Sequence, residues 1–116
     1  MKVYGIKNCN TVKKALDWLQ ENHIEYEFHD FKKLGITDTK LNEWSAELGW
    51  EPLINKRGTT WKQLDPSRQL EVNSKSEAFK LMREKTSVIK RPLIETDKGI
   101  LLGFDQDSYK IAFGIA

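Results

Sequence analysis

The first 31 residues alternate between short apolar runs and a helix-like spacing of apolar side chains. Residues 3–6 (VYGI) are an apolar run that predicts a short buried strand. Residues 25–29 (EYEFH) alternate polar and apolar side chains, which predicts a second strand beside the first. Between them, four apolar residues recur at i, i+3, i+4 and i+7, the spacing of one helix face: Val12, Ala15, Leu16 and Leu19. The chain is therefore predicted to open with a βαβ unit.

The next segment carries the start and stop signals of a second helix. Thr37 and Asp38 offer N-cap side chains, and Gly49 is the predicted stop. Between these positions, the residues that would share the apolar side of the helix are Leu41, Trp44 and Leu48. Two further patterns of the capping-box type follow, Thr60-x-x-Gln63 and Ser74-x-x-Glu77, and each predicts another helix. The middle of the chain, about residues 37–86, is therefore predicted to be helical.

The last part of the chain returns to strand patterns. Residues 89–96 and 100–104 are apolar-rich, and the Asp97-Lys98-Gly99 turn between them predicts a hairpin. Residues 108–112 predict a final short helix. The fold class is therefore α/β, with a thioredoxin-like mixed sheet (βαβ then ββα) and a helical insertion between the two halves. We see no linker or repeat, so residues 1–116 are predicted to form a single domain.

Composition and charge exclude several function classes. The chain is 39% hydrophobic and 31% charged, and no apolar run approaches the roughly 20 residues that a membrane span needs. No secretory signal is visible, so we predict a cytoplasmic protein with no membrane partner. The net charge of +2 is too small to indicate nucleic-acid binding. His23 and His29 lack partners at metal-ligand spacing, so no metal site is predicted.

The only cysteine, Cys9, lies in the stretch KNCNTVKK, between the first predicted strand and helix. Free N–H groups at a helix start, together with the helix dipole, stabilise a thiolate over a thiol. Lys13 adds a positive charge nearby, and Asn10 and Thr11 are polar enough to cap the turn. The alternative is a buried cysteine that acts as a small apolar residue. The polar neighbours favour a reactive thiol with a lowered pKa. With no second cysteine, any disulfide chemistry must recruit a thiol from another molecule.

Several long segments in order resemble the arsenate reductase-like proteins of the ArsC/Spx/YffB type, and the YffB-like, glutathione-linked subgroup in particular. The matching segments are residues 4–15 (YGIKNCNTVKKA), 28–36 (FHDFKKLGI), 49–51 (GWE), 55–61 (NKRGTTW) and 89–92 (IKRP). The resemblance implies that Cys9 is the nucleophile and that Arg57 and Arg91 bind an oxyanion or a glutathione carboxylate. Pro92 is similar to the cis-proline that faces the thiol in thioredoxin-like folds.

The predicted function is that of a glutathione-dependent thiol-disulfide oxidoreductase. Cys9 is its single catalytic residue, and the substrate- or glutathione-binding residues are Asn8, Thr11, Lys13, Arg57, Arg91 and Pro92. Glutathione is the co-substrate, no metal is needed, and the substrate is a small oxyanion or a thiol. Glutaredoxin is a further candidate partner. Position 12 is valine, so the Cys-x-x-Cys motif of dithiol oxidoreductases is absent.

Two alternatives remain open. A binding module related to the Spx-type regulators of RNA polymerase shares the predicted fold, with the thiol serving only as a redox tag. Reduction of arsenate coupled to glutaredoxin is less favoured, because the resemblance implies two residues that this chain lacks. Authentic arsenate reductases carry a histidine four residues before the nucleophile, where Gly5 stands here. They also carry a third arginine in the final hairpin, where this chain has Leu102-Gly103-Phe104.

Overall fold

Four short strands form one mixed sheet in the computed structural model, which describes residues 1–115. The strands are β1 (Lys2–Gly5), β2 (Glu27–Asp30), β3 (Leu93–Thr96) and β4 (Gly99–Leu102), and their order in the sheet is β2-β1-β3-β4. β1 and β2 pair in parallel, whereas β3 is antiparallel to both β1 and β4. The predicted parallel opening, the later antiparallel hairpin and the α/β thioredoxin-like fold class are confirmed.

Two helices supply the core on one face of this sheet. They are α1 (Asn10–Glu21) and α7 (Gln106–Phe113), and the buried cluster that they form with the strands comprises Val3, Ala15, Trp18, Leu19, Ile94 and Tyr109. The Trp18 and Tyr109 rings meet edge to face with centroids 5.5 Å apart. Burying each large apolar side chain contributes roughly 1.5–3 kcal/mol. This packing fixes the start of α1 relative to the end of β1.

Helices fill the chain between β2 and β3, as the sequence predicts. They are α2 (Phe31–Leu34), α3 (Asp38–Leu48), α4 (Thr59–Lys62), α5 (Pro66–Glu71) and α6 (Lys75–Glu84), with 3-10 turns at Glu51–Leu53 and Thr86–Val88. The predicted N-caps of α3 and α6 are confirmed, because Thr37 and Ser74 accept hydrogen bonds at 3.3 Å from the N–H groups of Lys40 and Glu77. Gly49 ends α3 with a positive φ of 83°.

The capping box predicted at Thr60 is wrong. Helix α4 begins one residue earlier, its N-cap is Gly58, and no side chain caps it. The Thr60 hydroxyl instead donates to Oγ of Ser87 at 3.1 Å. The strand predicted over residues 89–96 is also too long, since β3 begins only at Leu93. Before Pro92 the chain instead pairs at Ile89 with Ile54 in an isolated antiparallel bridge.

The chain divides into two compact units. The first contains Met1–Phe31 and the chain from Arg91 onward, and the second contains Lys32–Lys90. Within the second unit, Arg83 pairs with Asp38, and Arg68 pairs with Glu84 at 3.0 Å. The single domain over residues 1–116 stays a prediction. Over the described residues, no helix has both the length and the apolar character to cross a membrane.

Candidate active site

Cys9 is the N-cap residue of α1. Its φ and ψ are −142° and 120°, and its carbonyl accepts the first helical hydrogen bond, from the Lys13 N–H at 3.0 Å. An N-cap side chain faces the N–H groups of the second and third helical residues, which here are Thr11 and Val12. The sulfur of Cys9 therefore occupies the place that a serine or aspartate oxygen fills in an ordinary cap.

The pKa of the Cys9 thiol is lowered from its usual value. Burial is the largest single influence and raises the pKa, because the charged thiolate loses hydration. The lowering influences outweigh it: the Val12 N–H, the hydrogen bond and charge of the Arg91 guanidinium, and the Thr11 N–H. The Cys9 side chain makes no cap hydrogen bond of normal geometry, so the Val12 and Thr11 N–H groups favour the thiolate as nearby dipoles, and Arg91 favours it through its hydrogen bond and its charge. Cys9 is half-buried, so the sulfur is not sealed from a reactant.

Arg91 and Pro92 reach the site from the start of β3. The Arg91-Pro92 peptide bond is cis, as the resemblance implies. Pro92 is buried, and its carbonyl accepts a hydrogen bond from the Gly103 N–H at 2.8 Å. The Gly103 carbonyl in turn accepts a hydrogen bond from the Tyr109 hydroxyl at 2.7 Å. A chain of hydrogen bonds from α7 through the hairpin therefore holds the segment that carries Arg91.

The other predicted site residues have different surroundings. Asn8, Thr11 and Lys13 are exposed on either side of Cys9, where their side chains face solvent. Thr11 acts on the thiol through its backbone N–H, and the expectation that Asn10 and Thr11 cap the turn is wrong, because Cys9 itself is the N-cap. Arg57 lies in the second unit with an exposed side chain, and its N–H donates to Asn55 Oδ1 at 3.2 Å.

A side chain would be tightly packed at Gly5, the position where the resemblance implies a histidine in authentic arsenate reductases. Gly5 is buried, and a Cβ added to it would lie 3.0 Å from Val12 Cγ2 and 3.6 Å from Phe28 Cε1. Contacts of 3.0 Å require one of the two groups to move. The missing histidine is visible in the sequence, whereas this contact is not, although glycine inside a strand is a known sign of close approach.

Neither histidine belongs to a group of potential metal ligands among the described residues. The His29 ring packs against Tyr4 in a tilted arrangement with ring centroids 4.7 Å apart, and it meets Phe31 edge to face. His23 is exposed at the end of α1 with a positive φ of 57°. Within residues 1–115 there is no group of three or more histidine, cysteine, aspartate or glutamate residues that could hold a metal ion.

Known proteins match the chain almost end to end. A model of the ArsC family matches residues 4–112. A protein of Haemophilus influenzae named only as uncharacterized is 42% identical over 111 residues, with 96% of each chain covered. A solved structure of a YffB protein superposes with a TM-score of 0.89 at 41% identity, again covering 96% of each chain.

A transcriptional regulator is a more distant relative. Global transcriptional regulator Spx 1 of Bacillus cereus is 24% identical over 110 residues, which cover 93% of this chain and 82% of the regulator. The family model, the Haemophilus protein and the YffB structure each extend over nearly the whole sequence. The chain therefore belongs to the ArsC family, the arsenate reductase-like family that its sequence resembles.

Proposed function

We propose that the protein is a glutathione-dependent thiol-disulfide oxidoreductase whose only nucleophile is Cys9. The observation that carries this proposal is the position of Cys9 at the N-cap of α1, where two backbone N–H groups and the Arg91 guanidinium lower the thiol pKa. The thiolate is the reactive form of cysteine, so a lower pKa makes more nucleophile available at neutral pH. Half-burial of Cys9 leaves the sulfur accessible to a small disulfide.

The proposed reaction has two thiol-disulfide exchanges. In the first, the Cys9 thiolate attacks the glutathione sulfur of a mixed disulfide, forms a Cys9-glutathione disulfide and releases the substrate as its thiolate. In the second, the thiolate of a free glutathione attacks that adduct, so oxidised glutathione leaves and Cys9 returns to the thiolate. Over the cycle one free glutathione is consumed, the substrate is released as a thiol, and the glutathione of the mixed disulfide leaves with the free one as oxidised glutathione. An external thiol is required because the chain has one cysteine.

Arg91 has two roles in this proposal. Its charge stabilises the thiolate, both before attack and when Cys9 leaves as the product of the second exchange. Its guanidinium also offers a planar pair of donors that suits a glutathione carboxylate. We assign carboxylate or oxyanion binding to Arg57 as well, on the family resemblance, and contacts with glutathione to the exposed Asn8, Thr11 and Lys13. We assign Pro92 to the site on the family resemblance as well, as the cis-proline that faces the thiol.

The proposal extends to location and partners. A single reduced cysteine suits the cytoplasm, where glutathione keeps thiols reduced. Glutaredoxin is a candidate partner, because its own thiols can resolve the Cys9-glutathione disulfide in place of a second glutathione. In the two exchanges above, the substrate is a small thiol compound bound to glutathione in a mixed disulfide. A small oxyanion is the other candidate substrate, because the positive charge of Arg91 would attract it.

The adduct provides the direct test of the proposal. The protein is treated with oxidised glutathione, and its intact mass and the modified peptide are measured. One glutathione is expected on Cys9, none on a Cys9→Ser variant, and reduced glutathione is expected to remove it. A turnover assay with a glutathionylated peptide then measures catalysis. If Cys9 takes no adduct, or if the adduct resists reduced glutathione, the proposed cycle is broken.

A binding function is the second candidate, because a regulator named Spx 1 matches 93% of the chain. Under that function the protein holds a stable partner, such as RNA polymerase, and the thiol only reports redox state. A pull-down that compares wild type with Cys9→Ser separates the two functions. A stable partner retained by both forms favours the binding module. Adduct formation and turnover without such a partner favour the enzyme.

Arsenate reduction is the least favoured function, for a structural reason. Val12 packs against Gly5 at the position where the resemblance implies a histidine. The final hairpin also carries no third arginine, since Leu102-Gly103-Phe104 stands there. We therefore expect no arsenate-dependent turnover when glutathione and glutaredoxin are both supplied. Turnover well above that of Cys9→Ser would restore this function.

A further inference from the structure

The close contact between Gly5 and Val12 joins the last residue of β1 to the first turn of α1. A Cβ at residue 5 would lie 3.0 Å from Val12 Cγ2 and 3.5 Å from Val12 Cγ1, so both methyl groups of the valine face the bare backbone of the glycine. Val12 is completely buried, with 0% of its surface exposed. The valine side chain therefore fits the space that the missing side chain of Gly5 leaves.

Val12 is also the third residue of α1, counted from its N-cap Cys9. At an N-cap, the N–H of that third residue is directed at the capping side chain. Val12 thus interacts with two neighbours. Its buried side chain contacts Gly5, and its N–H is directed at the Cys9 sulfur. A displacement that the Val12 side chain cannot absorb by rotation moves the N–H as well, because both belong to the same helical turn.

We propose that Gly5 and Val12 are a pair of positioning residues, in which the contact between them holds the first turn of α1 so that its N–H groups face the Cys9 sulfur. The inference rests on the proposed role of Cys9 as nucleophile and names the residues that keep it activated. Neither residue touches the reactant. Both act through the placement of the Val12 and Thr11 N–H groups, which favour the thiolate.

The branched side chain of Val12 restricts how the contact with Gly5 can change. A β-branched side chain in a helix has one strongly preferred χ1 rotamer, so Val12 cannot easily rotate away from a new group at residue 5. Rotation would also leave one of the two γ-methyls facing Gly5, since both lie near it now. The steric clash that a methyl group at residue 5 would make with Val12 is therefore relieved mainly by displacement of the α1 backbone. Interactions between an N–H and its acceptor weaken steeply as distance and angle change.

A double-mutant cycle tests the pair. The variants are Gly5→Ala, Val12→Ala and the double variant, and each is measured for the pH dependence of iodoacetamide alkylation at Cys9. Gly5→Ala is expected to raise the thiol pKa, so that alkylation at a pH below that pKa slows about two- to fivefold. In the double variant the γ-methyls are gone and the alanine methyl at residue 5 fills part of their space, so the rate is expected to return toward wild type.

Val3→Ala is the matched control, because Val3 is buried in the same strand but belongs to the core cluster under α1 rather than to the contact with Val12. It is expected to lower the melting temperature without changing the thiol pKa. If Gly5→Ala folds and its thiol pKa equals that of wild type, the positioning role is overturned and the contact is only packing. Additive pKa changes in the double variant would overturn it as well.

The other two variants of the cycle keep the proposal testable if Gly5→Ala is unstable. If Gly5→Ala does not fold, the positioning role is tested by comparing Val12→Ala with the double variant. Val12→Ala is expected to raise the pKa of the Cys9 thiol. The methyl group added at residue 5 in the double variant is expected to reverse part of that rise. Equal pKa values in those two variants would reject the positioning role. The pKa cycle uses no glutathione, so failure of Cys9 to take a glutathione adduct would reject the proposed function alone.

Discussion

The guanidinium of Arg91 acts on the Cys9 thiol, although the two residues come from opposite ends of the chain. The register of β1 against β3 explains why Arg91 lies near Cys9. Tyr4 in β1 pairs with Leu93 in the antiparallel β3, so the chain that leaves β1 toward Cys9 runs beside the chain that enters β3 from Arg91. The antiparallel pairing of β1 with β3 thus places the Arg91 guanidinium near the Cys9 thiol.

Replacing Arg91 tests that relationship. Arg91→Ala is expected to raise the Cys9 pKa, because it removes both a hydrogen bond and a positive charge from the thiolate. At a pH below the thiol pKa, iodoacetamide alkylation should slow by about three- to tenfold, after allowance for solvent screening at a half-exposed site. Arg91→Lys should recover part of the rate, since lysine keeps the charge but lacks the planar fork.

Two controls separate this effect from a general loss of charge. Arg68→Ala removes the same charge from a residue that pairs with Glu84 in the other unit, and it should leave the alkylation rate unchanged. Lys13→Ala should slow alkylation less than Arg91→Ala does, because an exposed ammonium is screened by water and salt. An Arg91→Ala protein that is alkylated as fast as wild type would contradict the assignment.

Removing the Tyr109 hydroxyl should destabilise the unit that carries the site. The hydroxyl is buried and donates to the Gly103 carbonyl at 2.7 Å, and burial raises the pKa of Tyr109 above its usual value, which keeps the donor protonated. Tyr109→Phe leaves that carbonyl without its donor and should lower the free energy of unfolding by about 1–3 kcal/mol in urea denaturation.

Tyr26→Phe is the matched control for that variant. Its hydroxyl makes only a long contact, 3.5 Å from Gln20 Nε2, at an exposed position. The same loss of one oxygen there should change the free energy of unfolding by less than about 0.5 kcal/mol. Equal effects of the two substitutions would mean that the buried hydrogen bond to Gly103 adds nothing to stability.

The N-cap of α7, Asp105, should make the stability of the fold decrease as the pH becomes acidic. The pKa of Asp105 is lowered by hydrogen bonds from the Ser108 hydroxyl and N–H. Because the folded pKa lies below the unfolded one, the carboxylate stabilises the fold above its unfolded pKa, and this contribution is lost as pH falls through the folded pKa. Asp105→Asn keeps a capping oxygen without titration.

The melting temperatures of these two proteins, measured between neutral pH and about pH 3, give the test. The difference between wild type and Asp105→Asn should shrink or reverse as the pH falls below the usual range of an aspartate. A difference that stays constant over the whole range would show that the cap does not distinguish the charged from the neutral carboxyl.

Periodicity and caps were sufficient to predict the long helices. The apolar spacing from Val12 to Leu19 predicted α1, and the N-cap side chains Thr37 and Ser74 predicted α3 and α6. Helices α2 and α5 were missed because they have only four and six residues. α5 buries none of its side chains, so no apolar face marks it in the sequence.

The site was predictable only in part. The position of Cys9 after a strand predicted that it lies at a helix start and that the amides after it favour the thiolate, but its place as the N-cap itself was not predicted. The pairing of Arg91 with the thiol depends on the register of β1 against β3, which no local pattern encodes. The contact of Gly5 with Val12 depends on atomic packing, and a strand glycine signals only that something comes close.

Titration of the Cys9 thiol shows directly whether its surroundings favour the thiolate. Thiolate absorbance is followed against pH in the wild-type protein, with Cys9→Ser as the blank. We expect a pKa clearly below the value of about 8.5 for a free cysteine, because the Val12 N–H, Arg91 and the Thr11 N–H together outweigh the effect of burial. A pKa at or above about 8.5 would contradict it, since Cys9 would then be an ordinary half-buried thiol at the start of a helix.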